Sequence, residues 1–180
     1  MGRTAYLCSR PGRAAAASCT CWGVRVLVID DEAPIRLLCR INLEAEGMEV
    51  LEAATGPAGL ALARAELPDV VLLDVMMPGL DGWQVAGALF DEPATSALPI
   101  VFLTARAELR DRAQGIGIGG VEYVTKPFDP VELATVVREL VGRQGPGSGE
   151  GPGGGEGPRG GEGARRRARL AELRALVDGP

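Results

Sequence analysis

Val70-Val71-Leu72-Leu73-Asp74 is a run of four branched aliphatic residues closed by one carboxylate. So short and continuous an apolar run, bounded by polar residues, reads as a strand buried on both faces. That is the mark of a parallel sheet with helices on either side. Three other runs repeat the pattern. Val26-Leu27-Val28-Ile29 closes on Asp30-Asp31, Ile100-Val101-Phe102-Leu103 on Thr104, and Val121-Glu122-Tyr123-Val124 on Thr125-Lys126. If these strands are parallel, their polar ends meet at one edge of one sheet. That edge then holds three carboxylates, a hydroxyl and an ammonium. Carboxylates held so close repel one another, and the group needs a divalent cation. A metal beside a carboxylate and a solitary lysine points to phosphoryl chemistry. Lys126 is the only lysine in the 180 residues; every other basic residue is arginine. A compact ammonium sets one point charge on one phosphate oxygen, which a planar guanidinium does not.

Helical patterns fill the gaps between these runs. Ile35, Leu38, Ile41 and Leu43 mark a helix that Gly47 ends. Met48–Ala53 is a weaker, more polar strand and belongs at a sheet edge. A helix is expected over Gly59–Glu66, closed by Pro68, and another from a cap at Asp81 to Phe90. A further helix over Glu108–Gln114 runs into Gly115, Gly117, Gly119 and Gly120, so its end is expected to be mobile. Asp129-Pro130-Val131-Glu132 opens the last helix of the repeat, with Leu133, Val136, Val137, Leu140 and Val141 on one face. The regular βα alternation predicts an α/β fold, a doubly wound parallel sheet. Ligands of such sheets bind at the carboxyl ends of the strands, where the polar quartet lies.

Composition bounds the rest. The length suits one domain with flanking segments. No apolar run approaches a membrane span, and Ala14–Ala17 is too short for a signal-peptide core, so a cytoplasmic protein without membrane insertion is expected. Cys8, Cys19, Cys21 and Cys39 form no disulfide framework. With no histidine present, the Cys19-Thr20-Cys21 pair reads as reduced thiols rather than a metal site. Residues 25–142 carry 19 acidic and 9 basic residues, a net of −10, which argues against nucleic-acid binding by this body. Residues 1–23 lack periodicity and read as a disordered arm. The sheet-forming body spans 24–142, a Gly/Pro-rich linker 143–163, and a short basic amphipathic tail 164–180. The tail (Arg165-Arg166-Arg167, Arg169, then Leu170, Leu173, Leu176 and Val177) is too short to be helical alone. It is expected to fold against the body's last-helix face or an effector. No DNA-reading or catalytic domain is expected after it.

Residues 24–142 resemble the receiver domain of bacterial two-component response regulators, in the manner of single-domain chemotaxis regulators. The resemblance is carried by Val28-Ile29-Asp30-Asp31-Glu32, by Leu73-Asp74-Val75-Met76-Met77-Pro78-Gly79-Leu80-Asp81-Gly82, by Leu103-Thr104-Ala105 and by Tyr123-Val124-Thr125-Lys126-Pro127-Phe128. It implies a flavodoxin-like five-stranded sheet in the order 2-1-3-4-5. It makes Asp74 the phosphoacceptor, with Thr104 and Lys126 on the phosphoryl oxygens. Mg²⁺ would be held by Asp30, Asp31, Asp74 and the Met76 backbone carbonyl. Thr104 and Tyr123 would switch together, and a cis bond before Pro127 would aim Lys126 inward. Met76 and Arg106 would flank the path of attacking water and so influence the lifetime of the phosphoryl group. The implied protein is a signalling switch rather than an enzyme. Its partners would be a sensor histidine kinase or phosphotransfer protein and a downstream effector protein that the sequence does not identify. A phosphorylation-dependent homodimer stays open, and DNA binding by the tail is the runner-up to protein contact. The alternatives are a Mg²⁺-dependent phosphatase that also forms an aspartyl phosphate, and a receiver-like module that takes no phosphate. Met76 stands where such phosphatases place a second acid, which disfavours the first; the complete quartet disfavours the second.

Overall fold

In the structure, a computed structural model, residues 23–105, 119–143 and 160–177 are described. Strands β1 (Arg25–Ile29), β2 (Glu49–Ala53), β3 (Val70–Asp74), β4 (Ile100–Thr104) and β5 (Val121–Thr125) form one parallel sheet in the order β2-β1-β3-β4-β5. Helices α1 (Ala33–Ala45), α2 (Gly56–Glu66), α3 (Gly82–Asp91), α4 (Pro130–Gly142) and α5 (Gly160–Val177) flank it. The expected helix over 108–114, Arg106, the arm 1–22 and residues 144–159 lie outside the described residues.

The strand pattern explains the two cores. Val26, Val28, Val70, Leu72, Val101, Leu103 and Val124 face one way and pack with Cys39 and Leu43 of α1 and Leu133, Val137 and Leu140 of α4. Leu27, Ile29, Val71, Leu73, Ile100 and Phe102 face the other way, onto α2 and α3. All five residues of β3 are buried, as a central strand requires. Edge strand β2 keeps one buried residue, Ala53. Helix α2 begins three residues before the expected Gly59, because Thr55 caps it, accepting from Ala58 N, and Pro57 fits its first turn. Asp81 and Gln84 form a capping box at α3, and Asp129 accepts from Val131 N at α4.

Cys39 lies fully inside the α1–α4 core. Burial pushes its thiol up to about 12, with the Asp30 charge adding to the effect and Lys126 opposing it. The thiolate is the reactive form, so native Cys39 is expected to resist alkylation at neutral pH and to react once guanidinium unfolds the chain. Mass spectrometry after a short iodoacetamide pulse checks this; prompt native labelling of Cys39 would contradict the burial.

The tail departs most from expectation. Its helix starts at Gly160 rather than 164 and packs against α3, on the face of the sheet opposite α4. Leu170 and Leu173, three apart on one side of α5, are buried in the core that holds Phe90 and Phe102. On the α4 face, α1 and α4 pack their own residues Cys39, Leu43, Leu133, Val137 and Leu140 against the sheet.

Candidate functional site

Parallel pairing brings the polar ends together. Asp30 follows β1, Asp74 and Thr104 end β3 and β4, and Lys126 follows β5. The ladder continues one step past the strands: Asp30 N donates to Ala53 O at 3.2 Å, and Lys126 N to Thr104 O at 2.7 Å. The four chain segments are thereby held level at the carboxyl edge.

Lys126 organises the cluster. Its Nζ donates to Asp30 Oδ2 at 2.7 Å and to Asp74 Oδ1 at 2.9 Å, and lies 3.5 Å from Glu32 Oε1. The Lys126–Pro127 peptide bond is cis. Asp30 is fully buried, and its Oδ1 accepts from Glu32 N at 2.8 Å. Asp74 is also buried, while Asp31 is exposed to solvent. Desolvation raises the Asp74 pKa, against the opposing hydrogen bond and charge of Lys126; Asp30 and Asp31 add to the rise. Burial alone would lower the Lys126 pKa, but its hydrogen bonds and charge contacts to Asp30 and Asp74 outweigh that and raise it. The group therefore stays a cation at neutral pH.

One carboxylate oxygen from each of Asp30, Asp31 and Asp74 lies within 4.8 Å of the others, a set that could hold a metal ion. All the donors are hard oxygens, which suits Mg²⁺ or Ca²⁺ and not a soft metal. Two buried acids and one at the solvent boundary leave an open side, as a hydrated ion that also takes substrate oxygens requires. Met76 sits two residues past Asp74 and is 65% exposed. Thr104 is buried. Tyr123 stacks on Phe102 with ring centroids 5.4 Å apart, and Trp83 lies 4.8 Å from Phe102 on a tilt. The Tyr123 hydroxyl is buried and has no hydrogen-bond partner among the described residues. The seven residues expected to form the site thus lie on four neighbouring segments of one sheet edge, with Tyr123 on the face below.

Other contributors were less legible. Arg36 donates to the Asp30 carbonyl at 2.7 Å and lies 4.0 Å from Glu52, so it braces β1 against β2. Its place in the first turn of α1, six residues past Asp30, was the available signal. Gly82 packs so tightly on the backbone of Asp74 and Val75 that a Cβ there would overlap the Asp74 carbonyl. Arg174 of α5 pairs with Asp81 at 2.8 Å, a contact between residues 93 apart that no local pattern announces.

This fold and this edge of acids and lysine define a class, the response regulator receiver domain. The sequence pattern of that family matches residues 26–138, so the chain belongs to it. Response regulator PleD of Caulobacter vibrioides is 49% identical over 117 residues, covering 64% of this chain and 26% of that protein. The phosphate regulon transcriptional regulatory protein PhoB of Pseudomonas aeruginosa is 40% identical over 128 residues, covering 71% and 56%. The chain therefore spans between about a quarter and just over half of the length of these curated relatives. Among solved structures, the chemotaxis response regulator CheY4 of Vibrio cholerae matches with a TM-score of 0.60 at 30% identity, covering 66% of this chain and 98% of that one. The receiver domain of Francisella response regulator 1452 matches with a TM-score of 0.59 at 30% identity, covering 67% and 98%. Among the described residues, no helix is long and apolar enough to cross a membrane.

Proposed function

We propose that the protein is a phosphorylation-dependent switch of a two-component system, and that Asp74 is its phosphoacceptor. One observation carries the reading: a buried carboxylate, Asp74, shares one ammonium with Asp30 inside a triad of acids able to bind a metal. A carboxylate oxygen of Asp74 attacks the phosphorus of a phosphohistidine. The new bond is O–P, the donor's N–P bond breaks, and its electron pair returns to the imidazole. Mg²⁺, held by Asp30, Asp31, Asp74 and the Met76 carbonyl, would neutralise charge on the transferring group. Lys126 is already poised on Asp74 and exchanges that contact for a phosphoryl oxygen. Thr104, at the end of the adjacent strand, donates to another. Tyr123 then repacks against Phe102, and the altered face is what an effector reads.

The donor is a sensor histidine kinase or phosphotransfer protein of the cytoplasm, and the signal leaves by protein contact. Two of the relatives, PhoB and the DNA-binding regulator RpaA of Synechocystis, are transcriptional regulators by name. This chain matches about half of each, so their DNA binding is not carried over. Sustained phosphatase turnover is disfavoured, because Met76 offers a thioether where a second acid would be needed.

The test is labelling with a small phosphodonor and Mg²⁺, read by mass spectrometry. Wild type is expected to gain one phosphate, located on Asp74, and Asp74→Asn none. Equal labelling of the two proteins, or labelling unaffected by chelation of Mg²⁺, removes the assignment.

A further inference from the structure

Helix α5 is fastened to the body at four levels. At its start, Gly163 lies against the carbonyl of Phe90, with no room for a Cβ, and 3.1 Å separates that Cβ position from the side chain of Ser96. One turn on, Arg166 is 5% exposed. Its guanidinium donates to the carbonyls of Ser96 at 2.5 Å, Leu98 at 2.9 Å and Gly120 at 3.3 Å, and lies over the Phe90 ring at 4.1 Å. Arg167 pairs with Asp91 at the end of α3. In the middle, Leu170 and Leu173 enter the core that contains Phe102 and against which Tyr123 packs. At the far end, Arg174 pairs with Asp81, the cap of α3. Helix α5 therefore lies antiparallel to α3 and closes the sheet face over β4 and β5.

These are not the contacts of a solvated basic face. A buried guanidinium whose two terminal nitrogens donate to three carbonyls, a glycine at a backbone approach and two buried leucines together make a fitted interface. Residues 144–159 tether the helix to the body, and a tether of that length gives an effective concentration on the order of mM. Docking in cis thus outcompetes a free partner at ordinary concentrations.

Two of the fastenings adjoin the acidic site. Asp81 precedes Gly82, which donates to Val75 O at 3.1 Å and packs on the Asp74 backbone. Phe102, beneath the α5 leucines, is two residues before Thr104 on the same strand. We propose that α5 is an autoinhibitory latch: it covers the β4–β5 face in cis, and filling the Asp74 site with a phosphoryl group loosens it. The proposal rests on the receiver reading of Asp74. Recruitment of Thr104 and rearrangement of the loop between β3 and α3 disturb both fixed points of the helix. A packed interface answers such a shift by letting go rather than by bending. Linkage is reciprocal, so freeing α5 must strengthen binding at Asp74 by the same factor.

The full-length chain tests this with beryllofluoride and Mg²⁺ as the phosphoryl mimic. Three proteins are compared: wild type, Gly163→Val, which forces the helix off Phe90, and Arg166→Ala, which removes the carbonyl contacts. Valine is not a worse helix former than glycine, so the first variant attacks docking and not helicity. In wild type, beryllofluoride is expected to speed amide exchange in 163–174 by about tenfold. Both variants should exchange faster without the mimic, and should bind it about tenfold more tightly, read from the Thr104 amide resonance. A Thr104 response in wild type with unchanged α5 exchange overturns the latch and leaves the receiver reading standing. Loosened variants with unaltered affinity for the mimic do the same. Absence of any Thr104 response in wild type removes the receiver reading and the latch together.

Discussion

Lys126→Met lowers the stability of the metal-free protein by about 3 kcal/mol, and Mg²⁺ restores a large part of it. The ammonium touches two carboxylates whose side chains are 0% and 6% exposed, Asp30 and Asp74. Methionine fills much of the same volume but leaves that pair uncompensated beside Asp31. Removing one partner of a buried ionic group is costly because the charges left behind stay desolvated. A divalent ion binding the folded state alone then acts as a substitute countercharge. Urea unfolding in chelator and in Mg²⁺ checks the claim. The gain from Mg²⁺ should be larger in the variant than in wild type; an equal gain means that Lys126 and the metal do not neutralise the same carboxylates. Lys126→Arg separates charge from shape. It keeps most of the stability, since a cation remains, yet it should not switch, because the longer planar fork cannot set its charge where Nζ sits. Beryllofluoride shifts at Thr104 and Tyr123 equal to those of wild type would show that charge alone suffices.

Gly82→Ala, a change of one methyl group, is expected to weaken Mg²⁺ binding by more than tenfold and to cost about 2 kcal/mol of stability. The added Cβ would overlap the Asp74 carbonyl and lie 2.9 Å from Val75 Cα, both backbone atoms that no side-chain rotation can move aside. The loop between β3 and α3 must shift, carrying Met76 and Asp81 away from their places. Gly87 is the control in the same helix. A Cβ there meets nothing within 4 Å, so Gly87→Ala should stabilise α3 by about 0.5–1 kcal/mol through helix propensity. Thermal unfolding and a Mg²⁺ titration of both variants decide it. If the two substitutions behave alike, the close approach of Gly82 to Asp74 is not what the loop depends on.

The fold is legible in the chain where local pattern and chemistry agree. Three continuous apolar runs, and a fourth interrupted only by Glu122, form parallel strands, and their polar ends converge once the strands are aligned. The cap residues Asp81 and Asp129 announced their helices for the same local reason. Gly56-Pro57 has the composition of a turn, so the cap at Thr55 shows only once the helix is seen. Arg166 lies in a basic stretch and Gly163 at the end of a glycine-rich one, and nothing nearby in sequence distinguishes either residue. Their partners Phe90, Ser96, Leu98 and Gly120 lie far away along the chain.

Local pattern in the chain specifies the parallel βα repeat and the edge at which Asp30, Asp31, Asp74, Thr104 and Lys126 gather. These follow from short-range periodicity and from residue types that have few other uses. Long-range packing sets the rest: Lys126 bridges Asp30 and Asp74, Gly82 presses on the Asp74 backbone, and α5 closes the face over β4 and β5. Each of these depends on which surfaces meet when distant segments pack. An arginine is a solvated charge in one setting and a buried clamp on three carbonyls in another, and the difference lies in what stands opposite it.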